Sequence, residues 1–204
     1  AIFEGQPMLL GDDDGLGFAT PGDIDEREDA DSMSMLVNKM DEHTLRSPIK
    51  DIHYINSFGR QVFPKPNPNY IKSLLSSKLL IYSCGSLWTS IIPCLALRGV
   101  GRAIATSQTL QYKVLLLNSQ PDRETPAGST GQDFISAIQR CLNKNLEAHD
   151  VDANVHFSAH DYITHIIYLR GSQIKIDNPA ATEALGIELV EVESGDSAQP
   201  LFDD

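Results

Sequence analysis

The sequence predicts an α/β protein with a mainly parallel sheet. Two runs of consecutive apolar residues, LLIY at 79–82 and VLLL at 114–117, are typical of strands covered on both faces. The segment between them has a helical pattern, and strand, helix and strand in one sheet form a right-handed crossover between parallel strands. We therefore expect a layer of helices on each face of the sheet.

The net charge of the chain argues against one class of function. The 204 residues carry a net charge of −12, which argues against electrostatic binding to nucleic acid, since that needs clustered Lys and Arg. Residues 11–32 hold nine acidic side chains and one arginine, or −8, which leaves −4 for the remaining chain. We interpret 11–32 as an acidic, disordered surface insertion, and an anionic small ligand stays compatible with the rest.

Before the first apolar run, the positions of apolar and turn-forming residues predict two strands, a turn and a short helix. Residues 1–6 resemble the end of a strand, and Ile49, Ile52, Tyr54 and Ile55 indicate another. A turn at 58–60 leads to an extended link with three prolines, and Asn69 is predicted to cap a short helix over 70–76.

The later elements alternate between helix and strand. Helices are predicted from about Ser86 to Gly99 with a restart at Pro93, over 101–107, over 131–146 and over 179–185. Strands are predicted over 166–169, 174–176 and 188–192, and the acidic end from 195 is interpreted as frayed.

A phosphate site is predicted where the first buried strand meets its helix. Gly85 permits a tight turn there, and a helix N-terminus with the hydroxyls of Ser86, Thr89 and Ser90 suits a phosphate or diphosphate. The alternative, equally open, is that Ser86 only caps the helix with its own side chain.

The loop after the second buried strand ends at the same edge of the sheet. Because ligands bind at the carboxyl ends of parallel strands, Arg123 is a candidate clamp for a phosphate oxygen and Asn118 a hydrogen-bonding group for a base or sugar. The alternative is a polar surface loop that contains an Arg–Glu pair.

Histidines and cysteines give little sign of metal or nucleophilic chemistry. His156, His160 and His165 lie in what we interpret as strand and turn, which favours half-buried structural histidines over a zinc site. Three cysteines without paired spacing indicate a reducing, cytoplasmic compartment, and Cys84 is interpreted as a small buried residue.

Membrane insertion is not expected. Residues 79–97 are uncharged and long enough to span a bilayer, but the Ser-Cys-Gly-Ser break at their centre favours strand, turn and helix. No secretory signal is expected at the N-terminus either, because it has no basic stretch followed by an apolar run.

Several longer motifs resemble the 2-phospho-L-lactate transferase-like superfamily, which includes the bacterial gluconeogenesis factor group. The motifs are NSFGRQVFPKPNPNYIKSLLSS, LIYSCGSLWTSIIPCLALRGVG, YKVLLLNSQPDRET and GQDFISAI, and they are most similar to fungal-type members. The family's opening strand with its Gly-Gly-Thr-Gly phosphate turn has no counterpart here. Residues 1–194 therefore resemble the carboxyl-terminal part of one such domain, followed by a tail over 195–204.

The resemblance implies a Rossmann-like three-layer fold and two alternative activities. One is transfer of a phospholactyl-type or phosphoryl-type group from a nucleotide diphosphate donor to a hydroxyl acceptor, with Mg²⁺. The other is a non-catalytic regulator of carbon metabolism that binds a nucleotide sugar such as a UDP-sugar. The metal ligands stay unknown, and a homodimer stays open.

The resemblance also implies roles for the candidate residues. Arg123 would stabilise charge on the leaving phosphate and Asn118 would orient the donor. The remaining candidates for binding nucleotide or phosphate are Gly85, Ser86, Thr89, Ser90, Glu124 and Thr125.

Overall fold

A computed structural model describes residues 2–4, 45, 47–147 and 155–193. The chain divides into two compact units, Ala1–Gln6 with Thr44–Asp204, and Pro7–His43. The second unit lies outside the described residues, and so do the predicted acidic insertion at 11–32 and the predicted tail at 195–204.

Three short strands form an antiparallel group at the start of the described chain. They are β1 (Ile2–Glu4), β2 (Asp51–Ile55) and β3 (Gln61–Val62), in that order. The first two strands were expected near these positions. The turn between β2 and β3 has Gly59 at φ 72°, in the left-handed region that glycine enters without a steric penalty.

Four parallel strands form the main sheet in sequence order. They are β4 (Leu79–Tyr82), β5 (Tyr112–Leu116), β6 (His165–Leu169) and β7 (Glu188–Val192). Neighbouring strands are connected through α-helical segments. The predicted α/β class with a Rossmann-like parallel sheet is therefore confirmed.

Helices connect the strands and supply most of the core. They are α1 (Pro68–Ser76), a π-helical turn (Leu87–Ile91), α2 (Ile92–Leu95), α3 (Val100–Thr106), α4 (Gly131–Glu147), α5 (Ala159–Tyr162) and α6 (Pro179–Ala184). In α3, a Cβ on Gly101 would lie 2.7 Å from the backbone oxygen of Leu142, so the missing side chain lets α3 and α4 approach closely.

Three local predictions were wrong. The side chain of Asn67, not of Asn69, caps α1 by accepting from the Asn69 amide at 2.9 Å. Residues 174–176 form no strand but a single bridge, Thr130 with Lys175. Residues 159–162 form a helical turn because the Asp161 carboxylate accepts from the Ser158 amide and hydroxyl, a capping box.

The burial of β4 also differs from the prediction. Leu79 and Ile81 are 48% and 50% exposed, so one face of this strand is open among the described residues. The strand order explains this, since right-handed crossovers between strands in sequence order place every connecting helix on the same face. The described connections therefore form one helix layer, whereas the sequence led us to expect a layer on each face. The core on that covered face includes Tyr82, Leu115 and Ile166.

Candidate functional site

The carboxyl ends of β4 and β5 bring two predicted site residues together. Gly85 follows β4 by three residues and Asn118 follows β5 by two. The Asn118 amide nitrogen Nδ2 donates to the Gly85 carbonyl oxygen at 3.5 Å. The two strand ends are thus joined at the sheet edge where the sequence predicts a ligand.

Gly85 is required by the tight turn between β4 and the π-helical turn. A Cβ at this position would lie 2.9 Å from the Ser90 Cβ, closer than real side chains approach. The chain therefore folds back on itself because position 85 has no side chain.

Ser86 does not cap the helix with its hydroxyl. Its backbone carbonyl accepts from the amides of Ser90 at 2.9 Å and Ile91 at 3.2 Å, the widened pattern of a π-helical turn. The Oγ atom makes no capping hydrogen bond and is buried without a partner. The capping alternative from the sequence is therefore wrong.

Three buried side-chain oxygens in this region have no hydrogen-bond partner in the described part of the chain: Ser86 Oγ, Asn118 Oδ1 and Thr125 Oγ1. Thr125 is 4% exposed, and only its amide is bonded, to Asp122 Oδ1 at 2.6 Å. We call these three residues the rim site. Unpaired buried polar atoms are rare because each lacks the hydrogen bonds that water would give it, so three of them in the two loops that follow β4 and β5 need an explanation.

The side chains of the other predicted residues differ from the rim site in their exposure. Arg123 has a side chain that is 51% exposed, with its Nε 3.6 Å from Glu124 Oε1, which is the Arg–Glu pair of the surface-loop alternative. Thr89 and Ser90 are exposed. The structure therefore joins Asn118 to Gly85, the neighbour of Ser86, and leaves the side chains of Arg123, Thr89 and Ser90 exposed. The Glu124 side chain is 20% exposed.

A cavity of about 340 Å³ adjoins the rim site along α4. Thr125 lines it, and so does Leu87, the neighbour of Ser86. We call it the α4 cavity. Its other walls come from Pro48, Ile49, Trp88, Pro126, Ala127, Gly128, Ser129, Asp133, Phe134, Ser136, Ala137 and Arg140.

Sequence reasoning missed the cavity residues Trp88 and Arg140. Trp88 is the only tryptophan in the sequence and lies two residues after Ser86, which was the available signal. Arg140 follows Asp133 by seven residues, so both lie on one face of α4. That relation becomes informative only when the facing loop is known.

The three candidate histidines differ in burial. His165 Nε2 lies 3.2 Å from Glu188 Oε2, while His156 and His160 are exposed, so the half-buried assignment is wrong for those two. Within the described ranges no three His, Cys, Asp or Glu side chains form a group that could hold a metal.

Cys84 is exposed, contrary to expectation, because it lies in the turn after β4 and not within the strand. Cys141 is the buried thiol, and burial raises its pKa to about 12. None of the described helices is long and apolar enough to cross a membrane.

The fold is that of an α/β protein, and the candidate site lies at the carboxyl end of its parallel sheet. A family model described as "2-phospho-L-lactate transferase CofD" matches residues 29–194. The chain belongs to this family.

A curated relative is the "Uncharacterized protein YNL011C" of Saccharomyces cerevisiae, 34% identical over 146 residues. The match covers 69% of this chain and 32% of the yeast protein, so the chain spans about a third of that relative's length.

Two crystal structures of protein BH3568 from Bacillus halodurans are similar to this chain. The first is 18% identical with a TM-score of 0.49 and covers 64% of this chain and 40% of the other. The second, described as a member of the UPF0052 family, is 19% identical with a TM-score of 0.48 and covers 63% and 40%.

Proposed function

We propose that the protein binds a nucleotide diphosphate donor at the rim site and transfers a phospholactyl-type or phosphoryl-type group to a hydroxyl acceptor. The observation that carries the proposal is that the loops after β4 and β5 hold three buried, unpaired oxygens, those of Ser86, Asn118 and Thr125. A ligand that supplies their missing hydrogen bonds makes the bound state more stable than the free one.

To form hydrogen bonds with all three atoms, a ligand must have both hydrogen-bond acceptors and hydrogen-bond donors. The hydroxyls of Ser86 and Thr125 donate to phosphate oxygens, whereas Asn118 Oδ1 needs a donor. Inorganic phosphate has oxygens that accept from the two hydroxyls, but it carries few protons that could be donated to the amide oxygen of Asn118. A nucleotide or sugar phosphate also offers sugar hydroxyls or base N–H groups, and so it suits the whole set.

Transfer is favoured over binding alone by the space beside the rim site. The α4 cavity shares Thr125 with it and is large enough for a second molecule. In the transfer, the acceptor hydroxyl oxygen forms a bond to phosphorus and the diphosphate P–O bond breaks. The nucleoside monophosphate then leaves, and the hydroxyl proton passes to water.

Arg123 has the role of stabilising charge on the leaving phosphate. Its exposed side chain is paired with Glu124 at 3.6 Å, a weak contact that a phosphate can displace. Gly85 keeps the backbone close to the ligand, and Thr89, Ser90 and Glu124 are proposed as outer contacts.

Mg²⁺ is implied by the family resemblance alone. The described residues bring together no three carboxylate, histidine or cysteine side chains, so they do not form a ligand set by themselves. No step of the proposed transfer is therefore assigned to the metal.

The second candidate is a nucleotide-sugar binding regulator without turnover. The same three oxygens suit a UDP-sugar, whose diphosphate and sugar hydroxyls supply both kinds of partner. This candidate does not need the α4 cavity.

A thermal-shift titration tests both candidates. The full chain is titrated with UDP-N-acetylglucosamine, UDP, GDP and GTP, with and without Mg²⁺, and a ligand at a hundred times its Kd stabilises by about 2.7 kcal/mol. A guanine-nucleotide response that needs Mg²⁺ supports the transferase, and a UDP-sugar response without metal supports the regulator. If none of them shifts the Tm, the rim site is not a nucleotide site.

Matched threonine variants locate the binding. Thr125→Val removes an unpaired buried hydroxyl, whereas Thr182→Val removes one that is 3% exposed and already donates to the Asn178 carbonyl at 3.1 Å. We expect the ligand-induced shift to disappear in the first variant and to persist in the second.

A further inference from the structure

The α4 cavity has an apolar body. The side chains of Ile49, Leu87, Trp88, Phe134 and Ala137 are all buried and form its walls. Its 340 Å³ equals the volume of about eleven water molecules in the liquid, at ~30 Å³ each. That is within the size range of small-molecule sites, and apart from the indole N–H of Trp88 the side chains of these walls have no hydrogen-bonding groups.

The two charged residues of the cavity lie toward opposite ends. Asp133 is in the first turn of α4 and Arg140 is seven residues later, so they are separated by about 10 Å along the helix axis at ~1.5 Å per residue. The Asp133 end adjoins the loop that holds Thr125.

The two charged side chains differ in how many hydrogen bonds they already make within the protein. The Asp133 carboxylate accepts from the Thr130 amide at 2.8 Å and the Thr130 hydroxyl at 3.2 Å. Arg140 donates one bond, from Nη2 to the Lys50 carbonyl at 2.9 Å, and has no carboxylate partner in the described part of the chain. Arg140 is exposed and lines the cavity, and a guanidinium has five N–H donors, so it has further donors that a ligand in the cavity can take from water.

We propose that the α4 cavity binds the acceptor as a molecule with an apolar body and a terminal anionic group, carboxylate or phosphate, held by Arg140. This assignment deepens the proposed function, on which it rests. The apolar body lies against Trp88, Phe134 and Ala137. The anionic end pairs with Arg140, so the opposite end of the molecule points toward Thr125.

The single tryptophan gives a direct readout. Trp88 lines the cavity, so the ¹⁵N-labelled chain shows one indole N–H signal that reports on this site. We would titrate the full chain with 3-phenylpropionate, with its neutral amide 3-phenylpropanamide and with inorganic phosphate. We expect a saturable shift of the indole signal with the carboxylate at an affinity about tenfold higher than with the amide, because one partner of the ion pair is missing in the amide.

Three variants separate the charge from the volume. Arg140→Gln keeps a side-chain donor for the Lys50 carbonyl and is expected to abolish the preference for carboxylate over amide. Ala137→Leu fills the cavity and is expected to abolish binding of both compounds. Arg98→Gln removes an exposed arginine elsewhere and is expected to leave both affinities unchanged.

The outcomes decide the proposal. Equal affinities for acid and amide in the unmodified chain overturn the role of Arg140, and an indole signal that no probe moves overturns the cavity as a binding site. A full response to inorganic phosphate alone overturns the need for an apolar body. Should Ala137→Leu lose its native indole signal, the smaller change Ala137→Val takes its place with the same expectation.

The same samples distinguish this proposal from the proposed function. Nucleotide binding at the rim site is read from the thermal shift, and acceptor binding from the Trp88 signal. A chain that binds nucleotide but not 3-phenylpropionate retains the proposed function and contradicts the acceptor class. A chain that binds 3-phenylpropionate but no nucleotide contradicts the donor site and leaves an anion-capped apolar pocket.

Discussion

Two asparagines in this protein lie in similarly protected surroundings but differ in their hydrogen bonds. Asn143 Oδ1 accepts from the Phe157 amide at 3.1 Å and from Tyr162 Oη at 2.9 Å, and its Nδ2 donates to the Phe157 carbonyl at 3.0 Å. Asn118 makes a single long contact to Gly85, and its Oδ1 is buried without a partner. The fold satisfies one of these amides by itself and leaves the other incomplete.

The contrast extends to the neighbours of each asparagine. Around Asn143, the Tyr162 carbonyl also accepts from Tyr82 Oη at 2.9 Å, so the polar groups of the core form a connected set. In the loops after β4 and β5, the second of which contains Asn118, the hydroxyls of Ser86 and Thr125 are unpaired. A connected set stabilises the fold, whereas unpaired groups cost stability and are retained where function needs them.

The largest expected effect is the loss of the Asn143 network. Asn143→Ala leaves the Phe157 amide, the Phe157 carbonyl and the Tyr162 hydroxyl without this partner. We expect the free energy of unfolding to fall by about 3 kcal/mol, since each unsatisfied buried group costs ~1–3 kcal/mol, which corresponds to a Tm lower by roughly 6–12 °C. Urea unfolding and thermal melting measure both.

A control for this variant is Gln139→Ala, which removes one bond to the Phe157 carbonyl and leaves Asn143 in place. We expect a clearly smaller loss there. A loss below about 1 kcal/mol for Asn143→Ala would mean that the network is not a stabilising element.

The next largest effect on stability is expected from removing the hydroxyl of Tyr82. Tyr82→Phe deprives the buried Tyr162 carbonyl of its donor, with an expected loss of about 1–2 kcal/mol. Burial also raises the pKa of Tyr82 well above 10.0, so the folded state stays protonated while the unfolded chain ionises above that pH. Stability therefore falls as the pH rises past about 10, and Tyr82→Phe flattens part of that fall.

The measurement is urea unfolding between pH 7 and 11, with Tyr112→Phe as the control because that ring is half exposed. An unchanged pH dependence in Tyr82→Phe would show that other groups cause the alkaline loss.

A smaller effect of the opposite sign is expected at the rim site. Thr125→Val replaces an unpaired hydroxyl with a methyl group of similar shape, so stability stays the same or rises by up to ~1 kcal/mol. The nucleotide-induced Tm shift is lost at the same time. A destabilisation larger than 1 kcal/mol would mean that this hydroxyl has a structural partner, which would remove the contrast with Asn143.

The smallest stability effect is expected at Arg123. Its exposed pair with Glu124 contributes at most about 0.5 kcal/mol, so Arg123→Ala leaves the Tm nearly unchanged. Its proposed role is seen only with ligand, where we expect nucleotide affinity to fall about tenfold. Arg98→Ala serves as the charge-matched control, and equal affinities in the two variants would take Arg123 out of the site.

The two edges of the parallel sheet show why the sequence could predict strands but not their burial. On the β7 edge, Arg170 Nη2 pairs with Glu191 at 2.8 Å. Charged side chains on an edge strand discourage pairing with another chain, so their presence in the sequence indicates an edge strand. The β4 edge consists of Leu79–Tyr82 without a charge, which is the same pattern as that of a central strand. Only the strand order distinguishes the two cases.

The candidate site was partly predictable for the same reason. Gly85 and Asn118 follow apolar strands, and neighbouring parallel strands bring their carboxyl ends together, so the contact between the two residues is a consequence of sequence order. Whether Ser86 caps a helix or keeps a free hydroxyl depends on the π-helical turn, and local propensity does not determine that geometry.

The sequence by itself determined the α/β class, most helix and strand positions and the edge of the sheet where the candidate site lies, because apolar periodicity and turn residues act over short stretches. The tertiary structure alone decided which face of β4 is open, which oxygens are left unpaired and that Trp88 and Arg140 share a cavity. These depend on the packing of segments far apart in the chain, and a hydrogen bond or a cavity exists only when both of its sides are in place.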